Sequence, residues 1–157
     1  MTIDLDPADI RILRAMQKDA SLPISEIARQ AGMSQTPAWR RIKRLKEAGV
    51  IQGIIALVDR EAVGLEFVSY TFVKLALPSR QNMDAFDRLV AIWPEVQLCE
   101  RVTGAVDYLL KIVTQDIKSY DRFLRHKLMD NELVSDVQSR IVVATVKDTP
   151  TLPLVEP

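Results

Sequence analysis

The chain has few of the residues that build covalent or metal-based chemistry. Its 157 residues include a single cysteine, Cys99, and a single histidine, His126. One cysteine excludes a disulfide framework and any metal site made only of cysteines. No apolar run approaches the roughly 18 residues of a membrane span, and no basic and then apolar leader opens the chain. We therefore expect a cytoplasmic protein that avoids membranes and needs neither metal nor cofactor.

The composition is otherwise that of an ordinary globular protein. Apolar residues make up 48% of the chain and charged residues 27%. These proportions exclude disorder as the default and allow a real hydrophobic core. The length fits one domain of ordinary size or two small ones.

Charge is balanced over the whole chain but not along it. There are 21 basic and 21 acidic residues, whereas residues 1–58 carry nine basic against six acidic side chains, a difference of +3. Five of these nine lie between positions 35 and 46 with no acidic residue among them: Arg40, Arg41, Lys43, Arg44 and Lys46. Such asymmetry is typical of a small nucleic-acid-binding module joined to another unit. A solvated helix face is the plainer alternative.

The first sixty residues carry the start and stop signals of three helices. Asp6 is placed to cap the first helix, and the proline after it suits the first helical position. Pro23 begins a short second helix, which Gly32 ends in the left-handed conformation. Ser34 caps a third helix, which Gly49 terminates. The second and third helices have the length and the connecting turn of a helix-turn-helix.

The third helix would then be the one that enters the major groove of DNA. The residues that project from its start, away from the apolar stripe, are predicted to meet base edges: Gln35, Thr36, Trp39, Arg40 and Lys43. Ser34, the cap of the helix, is also predicted to bind DNA. The later or lateral basic residues are predicted to reach phosphates: Arg41, Arg44 and Lys46. A helical hairpin inside a larger domain is the alternative. For Trp39, packing against the neighbouring helix is favoured over contact with DNA.

The segment after the third helix is rich in β-branched residues. Residues 50–58 are too short for another helix and predict a strand, followed by a connector to position 64. The expected domains are therefore 1–50 for DNA binding, 51–64 as a strand-bearing hinge, and 65–157 as a second domain.

The second domain alternates strands and helices in the order β-α-β-β-α-β, the ferredoxin-like arrangement of an α+β protein. We expect strands at 67–75, 96–103, 106–113 and 134–146, one helix capped by Asn82, and a second helix over 117–128. Two helices cover only one face of such a sheet. Because several strands carry apolar residues on both faces, the other face needs a partner, and a second copy of the chain is the simplest one. We expect an obligate homodimer.

Three stretches stand in a fixed order: LDPADIRIL at 5–13, GMSQTPAWRRIKRL at 32–45 followed by GVI, and VTGAVDYLL at 102–110. Through them the chain resembles the Lrp/AsnC family of transcription regulators, the feast/famine proteins, along essentially its whole length. The resemblance implies an N-terminal helix-turn-helix, a hinge and a ferredoxin-like domain for effector binding and assembly. It also implies dimers that often form octamers and wrap double-stranded DNA, with amino-acid effectors bound between dimers near the turn at Gly104.

Carried over by position, the resemblance implies an effector site of six residues: Thr103, Gly104, Asp107, Tyr108, Gln138 and Ser139. The chemistry of the turn is compatible with this. Gly104 allows close approach of a ligand and exposes N–H groups to a carboxylate. Asp107 offers an anion to an α-ammonium group, and Tyr108 offers an aromatic wall or a hydroxyl. The alternative is a tight turn in which Asp107 bonds the backbone and Tyr108 lies in the core.

The expected function is a sequence-specific DNA-binding transcriptional regulator, modulated by a small effector, with no enzymatic activity. One alternative is an architectural DNA-binding protein without an effector. Another is a small enzyme on a dimeric ferredoxin-like scaffold, with Cys99, His126 and Asp107 as its candidates. Strand alternation favours Cys99 as a buried small hydrophobe, and His126 lies on a solvated helix. No catalytic triad, metal-ligand spacing or glycine-rich phosphate loop occurs in the sequence.

Overall fold

A computed structural model describes residues 4–155, which form two compact units. The first unit contains residues 4–57 together with 147–155, and the second contains 58–146. The last residues were expected in the second domain. They lie instead with the helices of the first unit, because the backbone of Leu152 and Leu154 is hydrogen-bonded to side chains of the first helix.

The first unit is built from the three predicted helices. They are α1 (Pro7–Lys18), α2 (Ile24–Gln30) and α3 (Gln35–Glu47). The Asp6 side chain caps α1 by accepting a hydrogen bond from the Asp9 N–H at 2.9 Å. The Asp9 side chain in turn accepts a hydrogen bond from the Asp6 N–H. Ser34 is the N-cap residue of α3, although its side chain makes no capping hydrogen bond. The buried apolar side chains form one core: Ile12, Leu13, Ala15, Met16, Ile27, Ala31, Ile42 and Leu45.

The predicted hinge strand over 50–58 is wrong. The Val50 and Ile51 N–H groups both bond to the Leu45 carbonyl, at 2.9 and 3.1 Å, so these residues close the end of α3 instead. Beyond them, Ile55 and Leu57 are 80% and 76% exposed. A strand needs a neighbouring backbone for its N–H and C=O groups, and within residues 4–155 no segment pairs with this one.

The second unit confirms the predicted order of strands and helices. Its elements are β1 (Phe67–Leu75), α4 (Arg80–Val90), β2 (Val96–Arg101), β3 (Tyr108–Thr114), α5 (Ile117–Phe123), a continuing π-helical turn (Leu124–Met129) and β4 (Val134–Ile141). The strands form an antiparallel sheet in the order β2-β3-β1-β4. Strand β1 is joined to β2 through α4, and β3 is joined to β4 through α5. In each case another strand lies between the two, as a ferredoxin-like fold requires.

The helices cover one face of this sheet. Val73, Leu75, Leu110 and Ile112 are buried there against Phe86 of α4 and other core residues. Strand alternation puts Tyr70, Phe72 and Leu109 on the opposite face, where they stay partly exposed. The second unit therefore has one covered and one open sheet face.

Several predicted boundaries shift for local reasons. The α4 cap is Ser79, whose hydroxyl accepts the N–H of Asn82, the residue expected as the cap. The β2 and β3 strands end and begin two residues further from the turn than predicted. Strand β4 ends at Ile141 rather than at position 146, because Val142 still bonds to Val68 but β1 offers no partner beyond its own start.

Candidate functional site

The outer face of α3 presents the predicted base-contacting side chains together. Ala38, Ile42 and Leu45 are buried, which orients the helix. Ser34 is exposed, and so are all the residues predicted to meet base edges: Gln35, Thr36, Trp39, Arg40 and Lys43. Residues three and four apart share one face of a helix. Because the apolar face of α3 is buried, its polar and basic face points outward.

Trp39 is half-exposed, with 48% of its surface accessible. The small residue Ala38 beside it takes the fully buried inward position, so about half of the Trp39 surface stays open to solvent. The Lys43 ammonium lies 5.6 Å from the centroid of the Trp39 ring. It also lies 3.7 Å from the Glu47 carboxylate. The aromatic face and the cation thus form one exposed pair on the outer surface of α3.

Arg41 and Arg44 have partners inside the first unit. Arg41 donates to Asp6 Oδ2 at 2.6 Å and to Asp9 Oδ1 at 2.8 Å, and Arg44 donates to Asp9 Oδ2. Asp9 is fully buried, while the arginine side chains remain 31% and 48% exposed. The hydrogen bond from Arg41 is the main reason why the pKa of Asp6 lies below its ordinary value. These ion pairs join α1 to α3.

Sequence reasoning missed the role of Asp9. The signal was the Asp-x-x-Asp spacing at the start of α1, which resembles a capping box with an acidic third position. That pattern accounts for the hydrogen bond that the Asp6 N–H donates to the Asp9 carboxylate. It does not indicate that the same carboxylate accepts two guanidinium groups from a helix more than thirty residues away.

The second candidate site is the turn between β2 and β3. Thr103 and Gly104 are exposed, and Gly104 adopts a φ of +123°, which favours glycine. The turn is closed by the Val102 N–H, which donates to the Asp107 carbonyl at 2.9 Å. It is held to β1 by the Asp107 N–H, which donates to the Val73 carbonyl at 3.0 Å. The turn is therefore a fixed platform rather than a loose loop.

The Asp107 carboxylate is half-buried and has a backbone partner. Its Oδ2 accepts the Leu75 N–H at 2.8 Å, at the end of β1. This interaction matches the alternative that the sequence left open for this residue. It uses one carboxylate oxygen and holds the group beside the turn.

Tyr108 lies in the core and not at the surface of the turn. It is fully buried, and its hydroxyl donates to Asp87 Oδ1 at 2.8 Å, with the Met83 carbonyl at 3.2 Å. Burial is the largest cause that raises the pKa of Tyr108, and the Asp87 carboxylate adds to it. Arg101 binds the other oxygen of Asp87 at 2.5 Å and also reaches Asp84 at 3.1 Å. This network holds the last residue of β2 against α4.

Gln138 and Ser139 lie on opposite faces of β4. Gln138 pairs with Phe72 on the open face, and its amide donates to Asp136 at 3.1 Å. Ser139 lies on the helix-covered face, where its hydroxyl is hydrogen-bonded to that of Tyr120. The six predicted effector residues therefore divide among the exposed turn, the open face and the covered face.

Two family models match this chain. Residues 69–152 match the Lrp/AsnC ligand binding domain, and residues 5–52 match winged helix-turn-helix DNA-binding domains. The chain belongs to the Lrp/AsnC family. The sequence-based assignment is confirmed, and this Lrp/AsnC protein is a transcriptional regulator.

Curated relatives extend the match over nearly the whole of the Lrp/AsnC chain. It is 36% identical to the transcriptional regulator AzlB of Bacillus subtilis over 99% of both chains. It is also 36% identical to the leucine-responsive regulatory protein of Rhizobium meliloti, over 93% of this chain and 94% of the relative.

Solved structures agree with the fold. An AsnC family regulator from Agrobacterium tumefaciens superposes with a TM-score of 0.90 at 36% identity, over 95% of this chain and 97% of that one. A transcriptional regulator from Neisseria meningitidis, solved as its complex with L-methionine, superposes with a TM-score of 0.91 at 32% identity, over 96% and 97%.

Two candidates of the enzyme alternative, Cys99 and His126, lie on different elements of this Lrp/AsnC protein, β2 and the π-helical turn. Cys99 is exposed on β2, so its expected burial is wrong. Desolvation by neighbouring atoms, followed by the Asp87 charge, raises the pKa of its thiol to about 11, so the thiol is protonated at neutral pH and a poor nucleophile. His126 is exposed, 3.5 Å from Asp130. Among residues 4–155 no metal-ligand cluster occurs, and no helix is long and apolar enough to cross a membrane.

Proposed function

We propose that this regulator binds double-stranded DNA through α3 and that an amino acid modulates the binding, without catalysis. One observation carries the proposal: an exposed polar and basic row on α3 belongs to the same chain as a ligand-binding domain of the Lrp/AsnC type. We also propose that it acts in the cytoplasm, because its action requires contact with DNA.

For DNA, the first turns of α3 supply the reading side chains. Gln35, Thr36 and Arg40 are small or forked donors and acceptors of the kinds that read base edges in the major groove. Ser34 and Lys43 lie on the same exposed row, and the ring of Trp39 offers an apolar surface. Arg41 and Arg44 contact phosphates with the exposed part of their guanidinium groups.

For the effector, the turn at Gly104 supplies the contact surface. The Gly104 backbone suits a carboxylate, and the Asp107 oxygen that does not bind Leu75 suits an α-ammonium. The polar side chains of Thr103 and Gln138 extend this surface, whereas Tyr108 and Ser139 support it from the covered face. The L-methionine complex of the Neisseria meningitidis relative favours an amino acid.

For assembly, the open sheet face is proposed as the dimer interface. Tyr70 and Phe72 lie on this face of β1, and Phe72 pairs with Leu109 of β3. Partly exposed aromatic and aliphatic side chains on a sheet face are a common basis for subunit association. We propose a homodimer, with octamers as its higher assembly.

The test begins with a thermal-shift screen of the purified full-length chain against the standard amino acids. A ligand that prefers the folded state raises the melting temperature. DNA sites are then selected from a random duplex pool, and affinity is measured by fluorescence anisotropy with and without the amino acid that scored. Light scattering gives the oligomeric state.

The expected result is specific duplex binding that weakens steeply as salt rises, because phosphate contacts release counterions. The amino acid is expected to change the affinity or the assembly. Salt-independent binding contradicts the DNA-binding part. If no amino acid alters either property, the protein is an architectural DNA-binding protein, and the effector part is wrong.

A further inference from the structure

The carboxyl-terminal segment, residues 147–155, lies along α1. Gln17 holds Leu152 by two reciprocal hydrogen bonds: its Oε1 accepts the Leu152 N–H at 2.7 Å, and its Nε2 donates to the Leu152 carbonyl at 3.3 Å. Arg14 donates to the Leu154 carbonyl at 2.8 Å. Because Arg14 and Gln17 are three residues apart, they share one face of α1. Their side chains bind an extended backbone at two places.

The segment is also anchored by one apolar side chain. Leu154 is partly buried and packs against the helical core, whereas Leu152 and Val155 are 65% and 79% exposed. Backbone hydrogen bonds with a single apolar anchor are the features of peptide recognition. These features fix the register of the segment on α1, because Leu154 enters the core and Leu152 and Val155 do not.

The segment is restricted before it docks. Pro150 and Pro153 fix their own φ angles and bias the residues before them toward extended backbone. The conformational entropy lost on docking is correspondingly smaller. This composition favours a segment that can leave α1 and return to it in the same conformation.

The chain passes between the two units twice, and the second passage is short. Val142 donates to the Val68 carbonyl at 3.0 Å, beside the end of β4. Val143 and Val146, which follow, are each 98% exposed. From Val142 to Leu152 the backbone can span at most about 35 Å. A displacement of β4 that requires a longer span must release Leu152 from Gln17.

We propose that α1 is the docking surface for this chain's own carboxyl-terminal segment, and that the docked segment transmits the effector state from β4 to α3. The proposal rests on the proposed function. Before the segment in the chain, β4 carries Gln138 and Ser139, which are among the residues proposed to form or support the effector surface. Helix α1, on which the segment docks, carries Asp9, and Asp9 accepts hydrogen bonds from Arg41 and Arg44 of α3. A pull on the segment therefore acts on the helix that orients the DNA-reading face.

The docking arm of the test uses full-length variants and a labelled peptide of residues 148–155. Leu154→Asp places a charge against the apolar core and is expected to release the segment, so that the peptide binds in its place. The wild type and the matched control Val155→Asp are expected not to bind the peptide, because their own segment occupies α1. Gln17→Ala in the Leu154→Asp background is expected to weaken peptide binding. If the peptide does not bind the Leu154→Asp protein, the proposal that α1 is a docking surface is wrong.

The coupling arm measures DNA affinity with and without the amino acid found in the screen. Coupling between sites typically changes affinity about 5- to 150-fold, and we expect this range for the wild type and for Val155→Asp. In Leu154→Asp and in the milder Gln17→Ala, we expect unchanged effector binding by calorimetry and a DNA response of less than about twofold. A response of wild-type size in both variants overturns the coupling.

The remaining outcomes separate this proposal from the proposed function. If no amino acid alters wild-type DNA binding, the effector part of the function fails and the coupling with it, while the peptide arm still decides the docking. Mixed oligomers of Gln17→Ala and Leu154→Asp chains are expected to stay unresponsive. A restored response would show that the segment docks on another copy, which overturns docking within one chain.

Discussion

Asp9 of α1 accepts a hydrogen bond from Arg41 of α3 at 2.8 Å, with its carboxylate fully buried and the guanidinium only partly so. The charge of the buried group is compensated by Arg41 and Arg44 together. The pairing fixes α1 against α3 near the residues proposed to read DNA. Two of the five clustered basic residues thus have a structural role besides their proposed phosphate contacts.

Asp9→Asn is expected to destabilise the helical unit by about 1–3 kcal/mol, less than for a wholly buried pair because both guanidinium groups reach solvent. Chemical denaturation followed by circular dichroism measures the change. Glu47→Gln, which removes the same charge from an exposed site on α3, is the control and should change stability by less than about 0.5 kcal/mol. Equal effects of the two variants would contradict a special role for Asp9.

Arg40→Ala is expected to cost about 1–3 kcal/mol of DNA affinity and to relax specificity at one base position. Lys46→Ala, at a position expected to reach a phosphate, should weaken binding to specific and random duplexes together. Anisotropy with the selected site and a scrambled site distinguishes the two effects. Lys18→Ala, at the exposed end of α1, is the control for loss of one positive charge. Unchanged specificity in Arg40→Ala would mean that α3 meets DNA with another face.

Asp107→Asn is expected to abolish amino-acid binding, because the α-ammonium loses its counterion. The asparagine oxygen can still accept the Leu75 N–H, so the fold should be retained. Asp107→Ala should lose binding as well and also cost about 1 kcal/mol, since the Leu75 N–H is then left without its acceptor. Calorimetry with the amino acid and thermal unfolding separate the two losses. Normal effector binding by the asparagine variant would make Asp107 purely structural.

Tyr108→Phe is expected to lower stability by about 1–2 kcal/mol, because a buried hydrogen bond to a carboxylate is lost. The effector affinity should stay within about twofold of the wild type, a change of less than about 0.5 kcal/mol. This outcome follows from the place of the hydroxyl, which binds Asp87 beneath α4 rather than facing the turn. A large loss of amino-acid affinity with an intact fold would show that the Tyr108 hydroxyl contacts the effector.

Asp6→Asn is expected to reduce the acid sensitivity of the helical unit. The Arg41 hydrogen bond lowers the pKa of Asp6 from its ordinary value of 3.8, so its stabilising effect is present above that pH and is lost as pH falls through the lowered pKa. Asparagine is an equally good N-cap, which keeps the helix start intact. Melting temperatures at pH 6 and pH 3 should differ less in the variant than in the wild type. Equal differences would show that the Arg41 pair does not control the titration.

Local chemistry made most of the architecture predictable. Asp6 and Gly32 have preferences that depend only on their own backbone, and both stand where the sequence placed them. The run of β-forming residues predicted the full extent of strand β1, from Phe67 to Leu75. The segment 50–58 was mispredicted for the opposite reason, since strand formation depends on a partner that composition does not reveal.

By itself, the sequence determined the helices and strands, their order, and the outward row on α3, because capping, turn formation and apolar periodicity act over a few neighbouring residues. The tertiary structure alone decided that Asp9 binds two arginines of α3, that Tyr108 turns inward to Asp87, and that Leu154 returns to α1. These contacts join residues 21 to 140 positions apart. Burial and charge pairing select them only once the chain has folded, and no local pattern records them.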